Sequence, residues 1–281
     1  MYEAFFGFRE RPFDLTPNPR YLVMTEVHRE AIASIEYAIA TRKGMTLLIG
    51  EAGSGKTTVI RTAIERQTTC AHIVHLNNPA LTRPEFVEML GARFDLSQRA
   101  RESKTALLLE LEALLRQRHA ANETTVMIVD EAQSLPSSLL EEIRLLANIE
   151  TNDEKLLSVI LAGQPELATR LDDPSMSQLK QRIAMWCELR PLTLRETATY
   201  LLGRIRAADG DADQVFTLEA VTLIHEVSRG IPRIINVIAD NALMAGFAAE
   251  QRPVTTQIVR EVCRDVRIRQ GRRAGPAELG A

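Results

Sequence analysis

The sequence is poor in cysteine and in long apolar runs, and each shortage excludes something. Its 281 residues include only three cysteines, Cys70, Cys187 and Cys263. They are far apart, odd in number and lack CxxC or Cys/His metal spacing, which argues against a disulfide framework or a zinc site. They read instead as small buried hydrophobes in a reducing compartment. The longest apolar runs, around Thr46 to Ile49 and Val159 to Ala162, fall far short of the ~20 residues that cross a bilayer. No basic-then-apolar leader opens the chain, because Gly7, Arg9 and Glu10 interrupt Phe5, Phe6 and Phe8. A cytoplasmic protein is expected. Neither charge dominates: 34 Lys+Arg stand against 37 Asp+Glu, a net charge of −3. No global pull toward nucleic acid or membrane follows, and any such contact must come from a local patch.

The composition, 45% hydrophobic and 25% charged, is that of an ordinary globular protein. The length allows one large domain, or a core plus a small second domain. Residues 1–27, rich in aromatics and prolines (Pro12, Phe13, Pro17, Pro19, Tyr21), read as an ordered but irregular arm, since each proline biases its predecessor to extended geometry. Over residues 28–190 short apolar strands alternate with amphipathic helices. The strand candidates are Met45–Ile49, His72–Leu76, Val126–Val129, Leu156–Ala162 and Met185–Leu189. In the helix Thr105–Arg118, Leu107, Leu108, Leu111, Leu114 and Leu115 share one face. Such alternation makes an α/β fold with a parallel sheet covered on both faces, a three-layer αβα core. Over 191–268 the pattern turns purely helical (Leu194–Ala208, Thr217–Ser228, Pro232–Ala249, Thr255–Arg267), giving a small all-helical domain. Residues 269–281 read as a flexible basic tail.

The chemistry starts at Gly50-Glu51-Ala52-Gly53-Ser54-Gly55-Lys56-Thr57, which directly follows an apolar strand and precedes a helical run from Thr58. This is the phosphate-binding loop pattern in its required context. From average residue usage it arises by chance in about one chain in a hundred of this length. Glycines let backbone N–H groups curl around phosphates, the helix N-terminus adds positive potential, and Lys56 neutralises the β and γ oxygens. The Thr57 hydroxyl is then a Mg²⁺ ligand. Val126-Met127-Ile128-Val129-Asp130-Glu131 is an apolar strand ending in two carboxylates, where parallel sheets bind ligands. There Asp130 would hold Mg²⁺ and Glu131 would orient and deprotonate the attacking water.

Three further polar residues fit the same site. Gln164 follows the next strand and should emerge beside the γ-phosphate, although Gly163-Gln164-Pro165 also reads as a plain turn. Arg182 precedes the last strand and suits an arginine finger acting on a neighbouring subunit, with Arg170 and Arg144 as fallback candidates. Gly230-Ile231-Pro232-Arg233 puts a cation in the first turn of a helix, against the dipole, so Arg233 suits phosphate contact.

With these motifs in place the sequence resembles the ExeA-like (general secretion pathway protein A-like) AAA+ ATPases, related to the MuB and TniB transposition ATPases and more distantly to origin-recognition ATPases. The resemblance covers nearly the whole chain. It rests on Phe5-Phe6-Gly7-Phe8, Pro12-Phe13, Thr16-Pro17-Asn18-Pro19-Arg20 and His28-Arg29-Glu30-Ala31, then on Gly50 to Thr58, Asp130-Glu131-Ala132-Gln133, Leu161 to Leu167, Gln181-Arg182-Ile183 and Gly230 to Arg233. It implies a five-stranded parallel sheet with a helical lid, bound ATP and Mg²⁺, and a homo-oligomeric ring or filament in which Arg182 acts in trans. It also implies an arm near the adenine, with Phe13 and Tyr21 as contacts or as core. ExeA-type members continue into a membrane helix and a peptidoglycan-binding domain, and this chain stops where those would begin.

Two functions are open. One is ATP-driven assembly of a secretion or envelope export complex, by a cytoplasmic protein or one held peripherally at the inner membrane by a partner. The other is a transposition-type ATPase that coats duplex DNA, which the basic cluster Arg264, Arg267, Arg269, Arg272 and Arg273 would serve, though such a run is also a common helix-end cap. A metabolic P-loop kinase is disfavoured, because Arg182 and the Arg233 motif suit a self-assembling ATPase.

Overall fold

The structure, a computed structural model, describes residues 1–14, 23–66, 71–76 and 81–270, with side chains in the last helix described through Arg264. It divides into a sheet unit, Glu26–Ala52 with Lys56–Arg190, and a helical unit made of Met1–Thr25, Gly53–Gly55 and Pro191–Ala281.

In chain order the helices are α1 (Tyr2–Phe6), α2 (Glu26–Ala40), α3 (Lys56–Glu65), α4 (Arg83–Arg93), α5 (Gln98–Glu102), α6 (Lys104–Ala120), α7 (Ser137–Leu146), α8 (Pro165–Leu171), α9 (Ser177–Lys180), α10 (Leu194–Ala207), α11 (Leu218–Ser228), α12 (Pro232–Ala248) and α13 (Thr256–Gln270). The strands are β1 (Met45–Gly50), β2 (Ala71–Leu76), β3 (Thr124–Val129), β4 (Ser158–Gly163) and β5 (Ile183–Leu189).

The five strands form one sheet in the order β2-β3-β4-β1-β5, every pair parallel. All six residues of β1 and of β4 are buried, which is why both read as unbroken apolar runs. At the edge, β5 buries Ile183, Cys187 and Leu189 while Ala184, Trp186 and Glu188 are exposed. On one face Met45, Leu47, Ile49, Met127, Val129, Val159 and Leu161 pack with Phe86 and Leu90 of α4, Leu107, Leu111 and Leu115 of α6, and Leu139 and Ile143 of α7. Leu108 and Leu114, expected on the same stripe, are partly buried against it. On the other side α2 packs on β1, β5 and α3, burying Ile32, Ile35 and Ile39. Each such aliphatic side chain contributes about 1.5–3 kcal/mol by leaving water. Local chemistry starts the helices: Thr82 and Glu85 form a capping box ahead of α4, with Pro84 in its first turn.

The helical unit contains the four expected helices, α10 to α13, each ending within three residues of the sequence reading. Thr193 and Glu196 cap α10, and the Thr217 hydroxyl caps α11. The irregular arm needs correction at its start: Tyr2–Phe6 is helical and ends at Gly7 in the left-handed conformation. The proline argument concerns only the residues further on, of which Pro12 and Phe13 lie in a turn. Tyr2, Phe6, Phe8 and Phe13 then join Leu201, Ile205, Ile238, Leu243 and Val254 in the core of this unit. Phe6 stacks on Phe8 at 5.7 Å, and Phe13 meets Phe216 edge-on at 6.2 Å. Phe13 is thus a core residue, with 1% of its surface exposed. Tyr21, with residues 15–22, lies outside the described residues, as do Cys70, Arg272 and Arg273. The buried Arg204 fixes the arm: Nε donates to the Pro12 carbonyl (2.6 Å), Nη2 to that of Asp14 (3.1 Å) and Nη1 to the Tyr200 hydroxyl (2.9 Å).

Candidate nucleotide-binding site

The register aligns the strand tips: Ile49 pairs with Gly163, and Val129 pairs with both Leu161 and Leu76. The residues that follow these tips, Glu51, Asp130 and Gln164, therefore emerge along one carboxyl edge of the sheet, the edge where open α/β sheets bind ligands.

From Gly50 the chain runs through Glu51, Ala52, Gly53, Ser54 and Gly55 into α3, which begins at Lys56, two residues earlier than the helical run expected from Thr58. Lys56, Thr57 and Thr58 thus form the first turn of a helix, where N–H groups are free of intrahelical partners. Lys56 is 5% exposed. Its ammonium donates to the carbonyls of Gly50 (2.8 Å) and Glu51 (3.1 Å). Burial pushes its pKa down, opposed by the nearby charges of Glu131, Asp130 and Glu51. The Thr57 hydroxyl donates to Asp130 Oδ2 at 2.8 Å. Asp130 is buried and anchored, its N–H donating to the Leu76 carbonyl (3.2 Å) while its Oδ1 accepts the Glu131 N–H (2.9 Å).

Glu131 stands in the left-handed region at φ 54° and is exposed. Its Oε2 accepts from Gln133 Nε2 and from Gln164 Nε2, the latter at 3.2 Å. Gln133 also accepts the Gln164 backbone N–H at 3.0 Å. Sequence reasoning noted Gln133 only as a family residue and missed this contact; the signal available was a second amide two positions after the carboxylate. Of the fallback arginines, Arg170 donates to the carbonyls of Gln133 (2.7 Å) and Leu135 (2.9 Å) and to Ser137 Oγ (3.3 Å), and Arg144 pairs with Glu141 at 2.6 and 2.8 Å. Arg182 is exposed; its backbone N–H donates to the Leu179 carbonyl (3.0 Å), and its side chain makes no hydrogen bond or ion pair among the described residues.

Within the helical unit, Gly53–Gly55 pack with the start of α12. The Arg233 N–H donates to the Gly53 carbonyl at 3.2 Å. Gly53 has φ +83°, and a Cβ there would lie 2.4 Å from Arg233 Cβ. Glycine is required on both counts. Gly230, ahead of α12, is equally constrained: at φ +73°, its Cβ would meet the Leu192 carbonyl oxygen at 2.0 Å. The Ser54 hydroxyl is buried with no hydrogen-bond partner among the described residues.

The residues present fit a nucleotide with Mg²⁺. A buried ammonium is resting on loop carbonyls, an orphaned hydroxyl sits in the loop, and a hydroxyl–carboxylate pair of the oxygen type that Mg²⁺ prefers stands beside them. Residues 39–171, which span the loop, both carboxylates and Gln164, match the family model described as AAA domain. Solved structures share the fold. The Aeropyrum pernix ORC2 protein in its ADPNP-ADP complexes superposes with a TM-score of 0.65 at 19% identity, covering 91% of this chain and 71% of that one. Cdc6p from Pyrobaculum aerophilum gives 0.66 at 16% identity, covering 91% and 70%. Likeness at this identity shows the fold alone. The fold, the loop and this match define the class: the chain has the AAA+ P-loop fold, and its residues 39–171 match an AAA domain.

In sequence it is similar to a member of the ExeA-like group. It is 42% identical over 252 residues to general secretion pathway protein A of Aeromonas hydrophila, covering 88% of this chain and 45% of that protein. The chain therefore spans less than half the length of that curated relative. Among the described residues no helix is long and apolar enough to cross a membrane.

Proposed function

We propose that the chain binds and hydrolyses ATP with Mg²⁺ and uses the nucleotide state to control its own assembly and that of a secretion or envelope export complex. The observation that supports this best is the meeting of Thr57, Asp130, Glu131 and Gln164 at one sheet edge through direct hydrogen bonds, with the Lys56 ammonium held on the Gly50 and Glu51 carbonyls of the adjoining loop. Lys56 exchanges its two carbonyl partners for β and γ oxygens of ATP, and the loop N–H groups from Gly50 to Thr58 receive the remaining phosphate charge. Thr57 and Asp130 are the residues that would hold Mg²⁺, whose charge neutralises the phosphate oxygens. Glu131 orients the attacking water and takes its proton, Gln164 reads the γ-phosphate, and Arg233 supplies a further phosphate contact.

Arg182 supports the assembly reading, because an exposed arginine whose side chain makes no hydrogen bond or ion pair among the described residues is available to the ATP of a second copy. The secretion partner is carried over from the printed name of the Aeromonas relative, with a cytoplasmic location, peripheral at the inner membrane through that partner. The test compares Lys56→Ala with Glu131→Gln. Lys56→Ala should lose ATP binding, whereas Glu131→Gln should bind ATP, fail to release phosphate and sediment as an assembled species. Unimpaired turnover in both variants would refute the assignment. Sedimentation of Glu131→Gln with Mg²⁺-ATP and duplex DNA separates the readings: co-sedimenting DNA selects the transposition-type function.

A further inference from the structure

Glu131 leaves β3 in the left-handed conformation and is exposed, so neither backbone preference nor packing fixes its carboxylate. Two neutral amides do. Both donate to Oε2, and Oε1 has no hydrogen-bond partner among the described residues. One of these donors, Gln133, is itself held at both ends. Its side-chain Oε1 accepts the N–H of Gln164, the first residue after β4. A Cβ on Gly163 would lie only 3.1 Å from that oxygen, so the β4 tip lacks a side chain where Gln133 crosses it. Its main-chain carbonyl accepts from Arg170 of α8, which also holds the Leu135 carbonyl.

We propose that Gln133 is a positioning residue for hydrolysis, a planar brace that ties the Glu131 carboxylate to the tip of β4, with Arg170 fixing the turn that carries it. This deepens the proposed function and rests on Glu131 being the group that orients water. The residue type follows from the contacts. One side chain must donate to a carboxylate and accept from a backbone N–H, which an amide does and which a carboxylate, ammonium or guanidinium cannot. Asparagine is one methylene short. With Oε2 occupied by the two amides, Oε1 is the oxygen left to accept from water.

The test is a split between chemistry and binding. Gln133→Met keeps the length and removes both bonds. It should lower kcat on the order of 10–100-fold while KM and ATP affinity stay within about twofold, the pattern of lost orientation. Gln133→Glu keeps the acceptor but sets a like charge against Glu131, and should fall at least as far. In a Glu131→Gln background, Gln133→Met should cause no further loss, because its only route to the reaction has gone. Wild-type kcat in Gln133→Met beside a dead Glu131→Gln overturns the inference alone, whereas a fully active Glu131→Gln overturns the reading beneath it. Arg170→Gln, which loosens the same turn from outside, is the second variant should Gln133→Met not fold. An equal loss in kcat and ATP affinity there would make the turn a structural prop and also refute the proposal.

Discussion

Thr57 and Asp130 lie 73 positions apart in sequence, yet the Thr57 hydroxyl donates to Asp130 Oδ2 at 2.8 Å. The bond spans β4, because the strand order seats β4 between β3, which Asp130 follows, and β1, which leads to Thr57. If the pair holds Mg²⁺, Thr57→Val should raise the Mg²⁺ concentration for half-maximal ATPase activity by about 10–100-fold, and Thr57→Ser should preserve it. A Mg²⁺ titration of the ATPase rate checks both, and an unshifted Thr57→Val curve would remove Thr57 from the ligand set.

Lys56 links stability to pH and to nucleotide. Its pKa is lowered by burial, so the folded state sheds this proton before the unfolded state does. Stability should therefore rise with pH between the lowered folded value and the ordinary lysine value. Lys56→Met should lose that rise, measured as the difference between the two proteins' urea midpoints across the window. ATP at a hundredfold excess over its Kd should stabilise the wild type by about 2.7 kcal/mol. The variant should show no such thermal shift.

Gly53→Ala meets two obstacles, a positive φ and the Arg233 side chain. The backbone strain alone costs about 1–2 kcal/mol, and the clash must displace the start of α12. A lower Tm together with weakened ATP binding is expected. A variant equal to wild type in both would show that the loop relaxes freely.

Arg204→Ala should strand the carbonyls of Pro12 and Asp14. The expected loss is about 2–3 kcal/mol in chemical denaturation, with new protease cleavage within the first 14 residues. Unchanged cleavage kinetics would mean the buried aromatics of the arm suffice to hold it.

Arg182→Ala should retain ATP affinity but lose turnover on the order of 10³-fold if the guanidinium acts in trans. Wild-type specific activity should then rise with protein concentration. Mixing Arg182→Ala with Glu131→Gln should restore part of the activity, since the second protein lends its arginine to the first. Absence of rescue, with a flat concentration dependence, would place Arg182 outside the site.

The sequence by itself determined what short-range physics controls. Strand cores fell within two residues of their observed limits, because burial on both faces writes continuous apolar runs. The helices of the second unit were legible from period and caps, and the phosphate loop from its own spacing. Tertiary structure decided whatever depends on residues far apart. Nothing local to Phe13 distinguishes a core aromatic from a ligand contact; its place against Phe216 does. Nothing local to Arg170 shows that it braces the turn after Glu131, so it stood with Arg144 as a fallback to Arg182 until those hydrogen bonds set it apart. The sheet order, which carries Asp130 to Thr57 and Gln133 to the tip of β4, is a matter of strand pairing. Periodicity records which face of a strand is buried, but not which strand lies beside it.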